Sequence, residues 1–419
     1  MPVPAPLELP SFAADALKGP LAAQDAVAFA LDHSPVVRAA RANLITAIGK
    51  YRQTGSALNP SLSLSHTYTR QETIENRSSS SVSVPTAYSS AVTLKQLLFD
   101  FDKSPNLTKA ARLQVEASRQ ALRQAESDLA LSVKSGFYTA FEAARLVAVA
   151  EANVKSRGLQ LELAKARMGA GLGAPADVVR ATTSFDDGLN TLVQARATAL
   201  TARVQFAALL GLDPRSELKL SAGHEAAVAS PKLPDLVASA LSQRPEALAA
   251  VANLESARAT RKASLANDSP SVALSLIYGA KGDRDPTLTQ TGAAALSVTW
   301  PIWDGGFSHG VRIQADGQLA SAEAVSRQTS LAVVSDVSQA FVLLQAAEQR
   351  LTIATAEEAN ALEGARLAEG RYRAGVGSFL EVTDAQAALV SAQTARVNAE
   401  SGLDRARATL AHAVGPSLN

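Results

Sequence analysis

The chain has 419 residues, 47% hydrophobic but only 5% aromatic, with alanine supplying much of the apolar content, a composition that suits long, closely packed helices better than a thick mixed core. Forty basic residues against 39 acidic ones leave a net charge of +1, which excludes the electrostatic footprint of a nucleic-acid or polyanion binder. The absence of cysteine excludes disulfides, thiolate catalysis, Cys-ligated zinc and a lipid on an N-terminal cysteine.

Residues 1–20 hold Pro2, Pro4, Pro6, Pro10 and Pro20 and predict an extended arm, because each proline removes a backbone donor and fixes φ. The same stretch lacks a basic start and an apolar run, so no secretory signal is read in it, which leaves either a cytoplasmic chain or a mature or trimmed one. No uninterrupted run of eighteen apolar residues occurs, and no transmembrane helix is expected. Helical pattern begins near Leu21, breaks at Ser34-Pro35, and resumes from Val36 to about Ser56 with Val37, Ala40, Leu44 and Ile48 at three-to-four spacing. Asn59-Pro60 ends it.

The period then changes. From Ser61 to Arg70, Leu62, Leu64, His66 and Tyr68 alternate with serines and threonines, which predicts a strand. A Ser-rich loop to about Ser89 and a second extended stretch, Ala91 to Phe99, complete a hairpin closed by Asp100. Ser104-Pro105 is a good helix start. No proline follows until past Met168, and Leu122, Leu129, Val133, Phe137 and Phe141 mark one face; at 1.5 Å per residue this is a rod of roughly 100 Å. Gly169, Gly171 and Gly173 break the rod, and helical pattern returns from Asp177 to about Leu210, ending at Gly211.

The second half repeats the first. Pro35, Ala42, Asn43, Leu44 and Pro60 match Pro245, Ala252, Asn253, Leu254 and Pro270 at an offset of 210, and eight of fifteen residues are identical between Ala30 to Leu44 and Ala240 to Leu254. Val272, Leu274, Leu276 and Tyr278 mark a third strand, and Leu296, Val298, Trp300 and Ile302 a fourth. Beyond the hairpins the offset becomes 204: Asp304 aligns with Asp100, Phe341 with Phe137, and Arg167, Ala170, Gly171, Gly173 and Val178 with Arg371, Ala374, Gly375, Gly377 and Val382. A long helix is expected from about Phe307 to Arg373 and a last one from about Leu380 to Val414.

The chain therefore divides into an arm (1–20), a first repeat (21–211, strand hairpin about 61–99, tip 167–180), a connecting segment (212–234) and a second repeat (235–419, hairpin about 271–303, tip 371–384). The fold class is mainly α with a small β part, built on long antiparallel helical hairpins. Four strands with one apolar face have too thin a molecule beneath them to bury it. Strands of about ten residues, tilted, suit a bilayer if they close without edges. Four are too few to close, so closure needs several protomers. The competing reading is a soluble coiled-coil scaffold, which leaves bilayer-length strands unexplained. No nucleophile, base and orienting group form a constellation, so an enzyme is not expected.

The doubled layout resembles that of the TolC-type outer-membrane efflux duct family over nearly the whole chain. WPIWDGG, Trp300 to Gly306, is similar to the family's strand-to-helix signature (Trp303, Asp304, Gly305, Gly306), and YRAGVGSFLEVTDA, Tyr372 to Ala385, to its tip between periplasmic helices. The first copy departs, reading QLLFDFD from Gln96 to Asp102, without the proline or the glycines. The resemblance implies a homotrimer with a twelve-stranded barrel in the outer membrane of a Gram-negative bacterium and an α-barrel through the periplasm. It further implies a passive exit duct for efflux or type I secretion. The implied partners are outer-membrane lipid, a periplasmic adaptor (membrane fusion) protein and an inner-membrane pump of RND, ABC or MFS type. The exported substrate is not written in this chain.

Glu381 and Asp384 lie three apart at the start of the last helix. Acids there stabilise the exposed N–H end of a helix; the resemblance also places them at the periplasmic mouth. Asp177 and Arg180 occupy the aligned positions as an opposite-charge pair, and Arg180 is expected to neutralise part of the mouth and hold it closed. Gly169, Gly171, Gly173, Gly375 and Gly377 supply positive-φ backbone for tight turns, and by resemblance these tips meet the adaptor. Asp100 and Asp304 read as helix caps rather than ligands. Trp300 and Trp303 suit an aromatic belt at a membrane interface. His33, His66, His224, His309 and His412 are scattered without ligand spacing, so no metal is expected. No phosphate loop follows Gly55 or Gly305-Gly306, and no cofactor is expected. Asn76-Arg77-Ser78 fits a glycosylation triplet.

Overall fold

A computed structural model describes residues 19–70, 86–216, 218–221, 232–282 and 289–415. The proline arm before residue 19, the serine-rich loop with Asn76-Arg77-Ser78, and His224 lie outside the described residues. The elements run α1 (Ala23–His33), α2 (Pro35–Gly55), a 3-10 turn (Ser56–Leu58), β1 (Ser61–Arg70), β2 (Thr86–Phe99), α3 (Lys103–Gly169) and α4 (Pro175–Leu209). The same order follows again in α5 (Leu233–Gln243), α6 (Pro245–Leu265), β3 (Ser271–Gly282), β4 (Thr289–Thr299), α7 (Phe307–Arg373) and α8 (Phe379–Val414). Lengths correspond in pairs: 11 and 11, 21 and 21, 67 and 67, 35 and 36 residues for the helices.

The chain forms two compact units: one of residues 1–40, 122–245 and 330–419, the other of residues 41–121 and 246–329. The second unit carries the sheet, antiparallel in the order β1-β2-β3-β4. Register pairs Leu62 with Leu94, Leu94 with Leu276, Leu274 with Leu296 and Val272 with Val298, so the apolar residues of all four strands share one face. Ser63, Thr93, Ser275 and Ser297 lie on the other. The apolar face has no cover among the described residues, where Leu64 is 76% and Leu296 65% exposed. The outer edges of β1 and β4 have no partner strand among the described residues. The ion pair Arg261–Asp316 (2.6 Å) joins α6 to α7, and Arg312–Asp268 (2.5 Å) joins α7 to the turn that follows α6.

In the other unit, α1, α3 and α4 share a core in which Val133, Phe137, Phe206 and Leu210 are fully buried, with Phe137 edge-on to Phe206 at 5.9 Å. The predicted seam residues Val133 and Phe137 are its centre. Leu21 pairs with Leu220 as a parallel bridge, tying the start of the described chain to the connecting segment. Arg396–Glu358 (2.5 Å) and Arg405–Glu142 (2.7 Å) stitch α8 to α7 and to α3.

Two expectations need correction. The second strand begins at Thr86, five residues before Ala91, because Ser89 and Ser90 pair with Thr67 and His66 and are ladder rather than loop. The fourth strand ends at Thr299, leaving Trp300, Ile302 and Trp303 beyond it; Pro301 has no N–H to give a ladder. Among the described residues α7 is long and apolar enough to cross a membrane by length and composition alone, which does not overturn the expectation of no transmembrane helix. Scattered polar residues hide its apolar window from a search for unbroken apolar runs.

Candidate functional site

Two places concentrate the sequence signals. At each strand-to-helix junction an aspartate caps the long helix: Asp100 Oδ2 accepts from Ser104 N at 2.8 Å, and Asp304 Oδ2 from Ser308 N at 2.9 Å. The Ser308 hydrogen bonds, with that of Gly306, hold the Asp304 carboxyl below its ordinary value of 3.8. Gly305 and Gly306 take φ of 65° and 91°, the left-handed region that glycine enters at no steric cost. The first copy lacks these glycines but adopts the same turn, with Phe101 at 52° and Asp102 at 63°, a strained backbone for residues bearing a Cβ. Around the junctions Phe99, Phe101, Trp300, Trp303 and Phe307 are exposed.

The second place is where the two tips meet. Leu161, Ala164 and Ala181 of the first pack with Ala368, Tyr372, Phe379 and Val382 of the second in one buried cluster. Both long helices end in the same hydrogen-bond pattern: Leu172 N to Arg167 O (2.9 Å) with Gly171 N to Met168 O (3.0 Å), and Val376 N to Arg371 O (3.0 Å) with Gly375 N to Tyr372 O (3.1 Å). This is the Schellman closure, which needs a left-handed residue at its turn; Gly171 and Gly375 supply it at φ 72° and 79°. Gly173 and Gly377 serve differently from the expectation. A Cβ on Gly377 would lie 2.9 Å from Arg371 Cβ, and one on Gly173 3.1 Å from Met168 N, so the need there is for space. Gly169, the last residue of α3, has neither constraint.

Arg167 joins the tips. Its guanidinium donates to Tyr372 O at 2.6 Å and Arg373 O at 3.3 Å, at the C-terminal end of α7, and stands 4.7 Å over the Tyr372 ring. Tyr372 is buried, edge-on to Phe379 at 5.5 Å. Burial and then the Asp177 carboxylate raise its phenol above the ordinary value of 10, with Arg167 opposing. Among the described residues the buried Tyr372 hydroxyl has no hydrogen-bond partner, and no ion pair joins Asp177 to Arg180, which is exposed on α4. Glu381 closes a capping box with Ser378 and pairs with Arg371 at 3.2 Å. Asp384 is exposed and has no ion pair among the described residues.

This arrangement has no reacting group and no enclosed pocket of convergent polar residues; it is a pair of docked helical turns in a chain whose sheet presents an uncovered apolar face. The chain matches the outer membrane efflux protein family over residues 27–212 and 236–416. It belongs to that family. It is similar to protein CyaE of Bordetella pertussis, 28% identical over 90% of this chain and 80% of the relative, and to outer membrane efflux protein BepC of Brucella suis, 27% identical over 77% and 71%. The fold matches that of the outer membrane protein VceC of Vibrio cholerae, with a TM-score of 0.82, 21% identity and coverage of 95% and 97%. The protein is thus an outer-membrane efflux channel of the kind that serves tripartite systems, located in the outer membrane of a Gram-negative bacterium, and not an enzyme. The coiled-coil scaffold is set aside.

Among efflux-channel features, sequence reading missed the cross-tip role of Arg167, the burial of Tyr372 and the left-handed pair Phe101-Asp102. Arg167 and Arg371 are aligned and look equivalent, but one reaches across to the other tip while the other pairs with its own half of the chain. Asp102 aligned with Gly306 was the available signal for the turn.

Proposed function

We propose that three copies close their four-stranded sheets into a twelve-stranded barrel and their helices into a tube, forming a passive duct across the outer membrane and periplasm. The observation that carries this is the sheet itself. Its two edges lack partners among the described residues, its apolar face lacks cover, and an aromatic collar stands at the strand ends, features that a bilayer and neighbouring copies together would satisfy. Exposed Leu331, Leu343 and Ile353 on α7 support helix packing between copies, rather than a membrane span, for its apolar window. The matched helix lengths support the reading of two sequence repeats with boundaries near residues 21–211 and 235–419.

The tips form the periplasmic end of the duct. Leu172 and Val376, 71% and 70% exposed on the glycine turns, are the surface offered to a periplasmic adaptor that couples the duct to an inner-membrane pump. Glu381 is occupied by its cap and by Arg371, so Asp384 supplies the freer carboxylate at the mouth, and Arg180 the opposing charge. The test is an image of the detergent-solubilised particle: a threefold tube supports the proposal, and a chain that stays monodisperse without detergent refutes it. Unchanged single-channel conductance in Arg180→Ala would remove Arg180 from the gate.

A further inference from the structure

The two faces of the sheet differ in charge as well as polarity. No Asp or Glu occurs in β1, β2, β3 or β4. The register puts Lys95 on the hydroxyl-bearing face between Ser61 of β1 and Ser275 of β3, and Lys281 on the same face between Ser89 and Thr289. Lys95 is exposed and has no ion pair among the described residues. In the barrel reading, on which this inference rests, the apolar face meets lipid and the hydroxyl face lines the water-filled passage. A threefold assembly then carries a ring of Lys95 ammonium groups in the lumen, with no carboxylate from the strands to balance it.

We propose that the strand-built segment of the duct favours anionic solutes, such as carboxylates, sulfonates and phosphates, and that Lys95 is a residue setting this selectivity. The physical basis is the potential of like charges lining a low-dielectric wall, which raises the local concentration of counter-ions. Ser61 donates its hydroxyl to the Lys95 carbonyl at 3.4 Å, while Ser275 beside Lys95 carries a hydroxyl that can donate to the same anions without neutralising the charge.

The experiment measures reversal potentials of the full chain in planar bilayers under a KCl gradient. Lys95→Gln lowers the chloride-to-potassium permeability ratio by about twofold or more at low salt, and the shift shrinks toward 1 M, where the screening length falls to about 3 Å. Because the chain has no cysteine, Lys95→Cys offers a single thiol. A membrane-impermeant sulfonate reagent drives the ratio further toward cations, and a quaternary ammonium reagent restores it. Channels whose reversal potential is the same in wild type and Lys95→Gln, or a thiol in the Lys95→Cys channel that aqueous reagents never reach, overturn the inference while leaving the duct standing. Absence of any channel overturns the duct reading and this inference with it. Each comparison is between chains differing at one position, so charges elsewhere cancel.

Discussion

Replacing Arg167 by alanine removes the group that ties one tip to the other. The side chain gives hydrogen bonds at 2.6 and 3.3 Å to the last carbonyls of α7 and one at 3.3 Å to Leu172 O, and lies 4.7 Å over the Tyr372 ring. The site is partly exposed, so the freed carbonyls regain water and the hydrogen bonds contribute about 1 kcal/mol net rather than their buried maximum. The ring contact adds about 0.5–1 kcal/mol. The total, about 2 kcal/mol, corresponds to a roughly 30-fold change in a local opening equilibrium. Hydrogen exchange reads it directly: the Gly375, Val376 and Gly377 amides, bonded to Tyr372 O and Arg371 O, lose about 30-fold protection. Arg167→Lys recovers less than half, because an ammonium cannot reproduce the planar fork. A double-mutant cycle with Tyr372→Leu shows coupling of about 0.5–1 kcal/mol. Exchange at the three amides unchanged within about threefold would refute the clasp.

At the tight-approach site, Gly377→Ala costs about 1–3 kcal/mol by overpacking against Arg371 Cβ, whereas Gly169→Ala in open space gains about 0.5 kcal/mol; thermal denaturation in detergent ranks the two. The strand-to-helix turns give an opposite pair. Asp102→Gly relieves its left-handed φ of 63° and gains about 0.5 kcal/mol, while Gly306→Ala at 91° loses about 1 kcal/mol or more, and a loss in both variants argues against strain in the first copy. The Tyr372 phenol is raised in the folded tip, so its contribution is intact below pH 10 and is lost as pH rises through the raised value. Protection factors of the tip amides, taken relative to the base-catalysed intrinsic rate, should therefore fall above about pH 10 in wild type and not in Tyr372→Phe; an equal fall in both assigns the effect elsewhere.

Much of the fold was legible because its signals are local. The 3.6 period of Val133 and Phe137, the alternation from Ser61 to Arg70, and the prolines and glycines at helix ends each act within a few residues, and duplication let one half check the other. The strand limits were less legible: Ser89 and Ser90 look like loop until His66 and Thr67 lie opposite them, and Trp300 continues an apolar alternation that Pro301 has already stopped.

The sequence by itself determined the order of elements, the glycine turns, the aspartate caps and the placement of apolar and hydroxyl residues on alternate sides of each strand, since these follow from backbone chemistry and short-range period. Tertiary structure decided which aligned residues do the same work. Arg167 crosses to α7 while Arg371 stays with Glu381, and Phe101 and Asp102 are forced into a turn that glycines take freely in the other copy. Side-chain partners more than 200 residues apart depend on how helices dock, and docking is a property of packed surfaces that no local pattern encodes.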